Sequence, residues 1–329
     1  MNNYILIMAV ALLAMACNKK KQTEAEKPKV SLKENYEVNS AGLYPEGLDF
    51  DTKSGKFVFG SIYKGAVYSL NIKGELETYA SNNNLVAATG IFTDEVRNRL
   101  IVANSDLGTS QKSASSSSGG SVASIEVYDL STKALLKHVD LKSLTPGAGA
   151  FANDITVDLS GNIYITDSFS PVIYKVDLNY TPSIFAKNDL FQPAPNAFGL
   201  NGIVYHADGY FLVSKTDNSK LFKISLSNPT AVSEVRGFTC SYPDGLEWNK
   251  DNELVAVENG LGLGKVFTFS SSDNWSSAKK VKESTVGKDN FPTAVTLTSE
   301  GSIYVVNSKL GKLLSGDATE ANFTIQKVN

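Results

Sequence analysis

One six-residue pattern recurs six times along the chain on a single frame. It reads EGLDFD at Glu46–Asp51, TGIFTD at Thr89–Asp94, NDITVD at Asn153–Asp158, NGIVYH at Asn201–His206, DGLEWN at Asp244–Asn249 and TAVTLT at Thr293–Thr298. Each copy is followed by a turn and a second apolar run, from KFVFGS after the first to SIYVVNS after the last. Period-two alternation interrupted by turn residues marks a β-hairpin. Repeated at intervals of about 40–50 residues with room for two further strands, the hairpin is the core of a propeller blade, which must stack on its neighbours to bury its faces. The chain is therefore expected to be all-β, a six-bladed β-propeller over residues 30–329.

The blades run from about Gly42 to Asn84, on to Leu144, then Thr145–Asp189, Leu190–Gly237, Phe238–Asp289 and Asn290–Asn329. The last blade ends in KLLSG and FTIQKVN, and Val30–Val38 adds or replaces a strand there. Which terminus supplies the closing strand stays open. The second blade carries an insertion, LGTSQKSASSSSGGSVA, whose Ser/Gly composition predicts flexibility. It joins a second strand to a third and so lies on the face where the innermost strands begin, either as a mobile lid or as a tolerated surface loop.

The first residues have a different character. Ile5–Ala16 is an apolar run too short to span a membrane comfortably, and it ends in small residues, a signal-peptide profile. Ala14-Met15-Ala16-Cys17 resembles a bacterial lipoprotein cleavage box, which makes residues 1–17 a leader and Cys17 the lipidated residue; ordinary export with cleavage nearby is the alternative. Residues 18–29 are charged, lack large apolar side chains and read as a disordered tether. The expectation is an exported, lipid-anchored protein, periplasmic or on the outer membrane, that touches the membrane through its anchor only. Beyond Cys17 the only cysteine is Cys240, which leaves no intrachain disulfide and no cysteine metal site. Lys plus Arg (31) nearly balance Asp plus Glu (34), and no basic stripe points to nucleic acid. We expect a monomer.

The leading residue of each repeat sits at the top of an innermost strand and points into the central channel. Around the ring these are Glu46, Thr89, Asn153, Asn201, Asp244 and Thr293. Two carboxylates crowded together repel, and one must take up a proton unless a cation is present. Every available donor atom is oxygen, with no imidazole or thiolate. That chemistry suits one Ca²⁺ best; Mg²⁺ demands stricter geometry and more water, and Zn²⁺ prefers nitrogen and sulfur. Polar caps on a solvated channel are the alternative. The ends of the second strands offer candidate substrate contacts at the mouth: Asn104, Asp106, Asp167, Lys215, Glu258 and Asn307. Among them Lys215 is the unusual residue, able to neutralise an acidic substrate or to pair with Glu258.

Four segments in register, PEGLDF with Glu46, FANDITVD with Asn153, GLNGIVY with Asn201 and YPDGLEW with Asp244, resemble the senescence marker protein (regucalcin)/gluconolactonase family. These are calcium-dependent six-bladed propellers that also resemble paraoxonases and strictosidine synthase. The resemblance implies Glu46, Asn201 and Asp244 as metal ligands, with Asn153 as ligand or substrate contact. It implies hydrolysis of a lactone or similar ester, with Asp244 as the base and Asn153 beside it. Paraoxonases use a histidine pair; here the two histidines are His206, in a turn of the fourth blade, and His138, in an outer strand, so a histidine base is not expected. Paraoxonases also carry an acid after the leading Glu for a second, deeper calcium, where this chain has Gly47, so a single metal is expected. Two other readings remain: a non-catalytic, metal-containing propeller that binds a sugar, a small ligand or a protein, and an enzyme of different chemistry on this scaffold.

Overall fold

The computed structural model describes residues 32–328 except 116 and 118. The leader at 1–17 with Cys17 and the whole tether expected at 18–29 lie outside the described residues, as does the start of the 30–329 span. Residues 33–329 form one compact unit. Six four-stranded antiparallel sheets make it up, each a blade. The first blade comprises Pro45–Asp51, Lys56–Ser61, Ala66–Leu70 and Leu76–Ala80. The repeats at Thr89, Asn153, Asn201 and Asp244 open the next four blades in the same way, with one sheet per repeat as expected.

The sixth blade resolves the open question of closure. Its inner strands, Pro292–Leu297, Ile303–Asn307 and Asn322–Val328, come from the C-terminal end of the chain, and its outermost strand is Asn35–Asn39 from the N-terminal side. The pairing runs antiparallel from Asn35 opposite Gln326 to Asn39 opposite Asn322. Tyr36 and Val38 turn inward and are buried, whereas Asn35, Glu37 and Asn39 face solvent. The Tyr36 ring meets Phe57 of the first blade at 5.3 Å and Tyr304 of the sixth at 6.3 Å, so the closing strand also seals the seam between those blades. KLLSG is not a strand: Leu310–Leu314 is a short helix between the second and third strands of this blade, with Leu310 and Leu313 buried. The apolar residues at 310, 313 and 314 follow helical spacing, not alternation.

At the centre, every inner strand is irregular at the same place. The register against the second strand shifts between Pro45 and Leu48, Ala88 and Ile91, Ala152 and Ile155, Leu200 and Ile203, Pro243 and Leu246, and Pro292 and Val295. Such bulges re-aim side chains, and here each contains the leading residue of its repeat. The residue after it is glycine in four of the six blades because the neighbouring inner strand lies against it. A Cβ on Gly47 would sit 2.3 Å from the Thr89 carbonyl oxygen, and one on Gly202 2.4 Å from that of Asp244. Hydroxyls stitch the same seams. Thr89 donates to the Ala152 carbonyl, Thr166 to that of Asn201, Ser214 to that of Asp244, and Thr293 to that of Glu46, at 2.6–3.0 Å.

Truncating Tyr36 empties the seam between the first and sixth blades. Tyr36→Ala is expected to cost about 3–5 kcal/mol, as for a large buried aromatic. Glu37→Ala on the solvent side of the same strand should stay within about 0.5 kcal/mol. Chemical denaturation of the two variants compares them directly.

Candidate metal centre at the channel mouth

Glu46, Asn153, Asn201 and Asp244 all line one cavity at the mouth of the channel, and each is more than nine-tenths buried. The other two leading residues do not serve it, since Thr89 and Thr293 spend their hydroxyls on neighbouring blades. The amides have a defined orientation. Asn153 Nδ2 donates to Ser168 Oγ at 2.8 Å, and Ser168 in turn donates to the Leu200 carbonyl. Asn201 Nδ2 donates to Thr216 Oγ1 at 3.1 Å, and Thr216 donates to the Pro243 carbonyl. A hydroxyl that has given its proton to a carbonyl can only accept from the amide, so in both residues nitrogen faces the hydroxyl and Oδ1 remains an acceptor.

The carboxyl groups are just as telling. Among the described residues no donor reaches the Glu46 carboxyl, and burial, then the charges of Asp244 and Asp154, hold its pKa well above the usual range. Asp244 is raised too, chiefly by burial, although Asn259 Nδ2 donates to its Oδ2 at 3.1 Å and the Asn201 amide also bonds to it. Two buried carboxyls and two amide oxygens thus converge, and among the described residues two amide contacts, both to Asp244, offset them. Protons or a hard cation must supply the missing positive charge, and the all-oxygen donor set fits a hard divalent ion whose remaining positions go to water or substrate. Only two of the four are acids, consistent with the absence, among the described residues, of any cluster of three or more Asp, Glu, His or Cys placed to hold a metal.

The expected substrate contacts are elsewhere. Asn104 is fully buried and bonds to Val86 N, the Asn84 carbonyl and Ser124. Asp167 Oδ1 accepts from the backbone of Phe151, Phe169 and Ser170, and its Oδ2 from the Tyr174 hydroxyl at 2.6 Å. Lys215 pairs with Asp217 at 2.5 Å and not with Glu258, which instead accepts from Ser241 N and Leu263 N. Asn307 bonds to Thr324 and Gln326. All five brace the interior of their own blades. In a strand, side chains alternate between faces, so a reading one residue early selects the wrong set. The channel-facing position is the next one, Ser105, Ser168, Thr216, Asn259 and Ser308, and of these Thr216 and Asn259 line the cavity. That polar column stood in the sequence at the end of the second apolar run in five of the six repeats, the first carrying Ile62 there.

The insertion is tied down where it is described. Asp106, expected at the rim, is buried and accepts from Gly108 N, Ser113, Ser117 and Ser121, gathering the loop around one carboxylate. Lys112 reaches the Gly65 and Asn82 carbonyls, and Leu107 enters the cavity. The histidines lie apart from the cavity: His138 bonds through Nδ1 to buried Glu126 at 2.7 Å, and His206 stacks on Tyr210. Cys240 is buried with its Sγ toward the Val257 carbonyl.

Below the leading residues the channel widens to about 390 Å³ and holds a second set of acids, Asp49, Asp154 and Glu247. Asp49 is well supplied, accepting from Phe50 N, Thr93 N, Thr93 Oγ1 and Thr296 Oγ1. Asp154 accepts from Ile155 N and Ile203 N yet is pushed up to about 7, mainly by burial. Glu247 is pushed up to about 8 by burial and by the facing charges of Asp49 and Asp154. A carboxyl whose folded pKa is raised contributes stability fully below its unfolded value, near 4.5, and loses it as pH rises through the folded value. In chelator the protein should therefore lose stability from about pH 5 to about pH 8, and Glu247→Gln should lose less. Urea denaturation at stepped pH measures this, and an unchanged slope in the variant would refute the assignment.

No protein-family model matches the chain, and no curated protein does. Solved structures do match. The major allergen Mala s 1 of Malassezia sympodialis superposes with a TM-score of 0.72 at 18% identity over 91% of this chain and 97% of that one. A calcium-binding protein, regucalcin from Agrobacterium tumefaciens, gives 0.60 at 17% over 89% and 94%. A gluconolactonase from Xanthomonas campestris gives 0.59 at 14% over 88% of each. In fold, this chain is a gluconolactonase-like six-bladed β-propeller.

Proposed function

We propose that the chain is a calcium-dependent hydrolase of a lactone or similar ester, exported and tethered through Cys17. The observation that carries the reading is the mouth constellation: a buried Glu46 with no donor, Asp244 beside it, and two amides held with their oxygens free. Glu46, Asn153, Asn201 and Asp244 would hold the ion. When bound, it would supply Lewis-acid polarisation of the ester carbonyl and offset charge developing on its oxygen. Asp244 is the acid–base group that the family resemblance assigns, and Asn259 orients its Oδ2. In the proposed reaction it takes a proton from the attacking water and returns it to the leaving oxygen. The regucalcin and gluconolactonase likenesses support this chemistry at the level of fold.

A non-catalytic, metal-containing binding propeller is the second reading. It is favoured by a cavity lining that, among the described residues, offers no histidine and no carboxyl beyond Glu46 and Asp244. Calcium titration of the full chain by calorimetry, followed by lactone and aryl-ester hydrolysis on the same sample, separates the two. Glu46→Gln and Asp244→Asn should each weaken calcium binding at least about tenfold, the loss of one charged ligand being worth more than 1.4 kcal/mol, and should abolish turnover. His138→Ala and His206→Ala should change neither. Loss of turnover in a folded histidine variant would overturn the mechanism, and calcium binding without turnover would select the binder. Tethering predicts that Cys17→Ala moves the protein out of the membrane fraction.

A further inference from the structure

Resting on the hydrolase reading above, the geometry points to a substrate class. We infer that the mouth accepts a lactone or ester carrying an apolar acyl or aryl substituent, and not a polyhydroxylated sugar lactone. The floor of the cavity is polar, but its wall is not. Phe151, Phe198, Leu107, Leu261, Leu310 and Leu314 form most of a collar around the four acceptors. Phe151, Phe169 and Phe198 pack mutually, with ring centroids 5.2–5.7 Å apart, so one side of the collar is a rigid aromatic face.

The remaining polar groups of the lining are already engaged. Thr216 donates to the Pro243 carbonyl while accepting from Asn201. Asn259 donates to Asp244 and accepts from Leu261 N at 2.9 Å. Hydroxyls of a sugar would have to give up water and find few open partners on this wall, a cost of unmade hydrogen bonds. Among the described residues no Lys or Arg lines the cavity, because Lys215, the one cation read near the mouth, is buried against Asp217. An anionic substrate therefore has no partner among the side chains of the wall.

The free space under the collar is about 40 Å³, room for an ion with water or for the reacting carbonyl end of a substrate. The rest of the substrate must lie in the collar itself. Leu261 and Leu314 are 51% and 44% exposed, and they carry the apolar lining outward to solvent. A substituent lying along them buries apolar surface on both partners, and each methylene so buried is worth roughly a fourfold gain in affinity.

The test compares kcat/KM of the full chain, with calcium, for δ-valerolactone, δ-decalactone and glucono-δ-lactone. It adds calorimetric binding of the ring-amide analogue of δ-decalactone, which is not hydrolysed. We expect δ-decalactone to exceed glucono-δ-lactone at least about 100-fold. Leu261→Asn with Leu314→Asn, two half-exposed positions that spare the core, should shrink the preference for δ-decalactone over δ-valerolactone about tenfold. Equal or better turnover of glucono-δ-lactone would overturn the inference and leave the hydrolase reading standing. Binding of the amide, weakened by the double substitution, without turnover of any lactone would support the apolar ligand class and overturn the hydrolase. Neither binding nor turnover would overturn both.

Discussion

The molecule depends on the crowding of six inner strands around one axis. Their backbones come so close that a Cβ cannot be accommodated at Gly47, Gly90, Gly202 or Gly245 without displacing the neighbouring strand. Close approach demands that polar backbone atoms be satisfied across the seams, and threonine and serine hydroxyls do this from blade to blade. The same crowding forces each strand to bulge as it enters the channel, and the bulge turns its leading side chain toward the axis. Fold and site thus have one cause. The side chains that define the mouth occupy the positions where the ring would otherwise be tightest.

Crowding also sets the electrostatics. Carboxyls at the mouth and deeper in the channel are carried by backbone geometry into close quarters around one axis, and their pKa values rise. The two levels handle this differently. Asp49 is stabilised by four protein donors, one group acting across three blades. Glu46 has none among the described residues, and the hydroxyls near it orient amides so that still more oxygen faces the cavity. A site that collects acceptors at the expense of donors is built for positive charge. A polar cap on a water-filled channel would more naturally mix the two.

The insertion of the second blade makes tertiary contacts that its composition does not reveal. Its serines predict a flexible segment, yet Asp106 gathers three of them and a backbone amide around a single carboxylate. Lys112 fastens the loop to the first blade. The consequence for the site is Leu107, which joins the collar with the helix Leu310–Leu314. Both apolar contributions come from connections between second and third strands, segments whose sequence carries no repeat to mark them.

What the sequence determined by itself was the ring and its axis. Six repeats in register specify six blades, and the frame of the repeat places Glu46, Asn153, Asn201 and Asp244 at equivalent positions, so their convergence follows from symmetry alone. The tertiary structure decided three things that symmetry does not reach. The closing strand came from Asn35–Asn39, because Tyr36 fits the seam formed by Phe57 and Tyr304. The rim was assigned to Thr216 and Asn259 and not to Lys215 and Glu258, because alternation along a strand turns a one-residue difference into the opposite face. The collar was assembled from connecting segments, whose apolar residues acquire a meaning only once folding brings them over the same four residues.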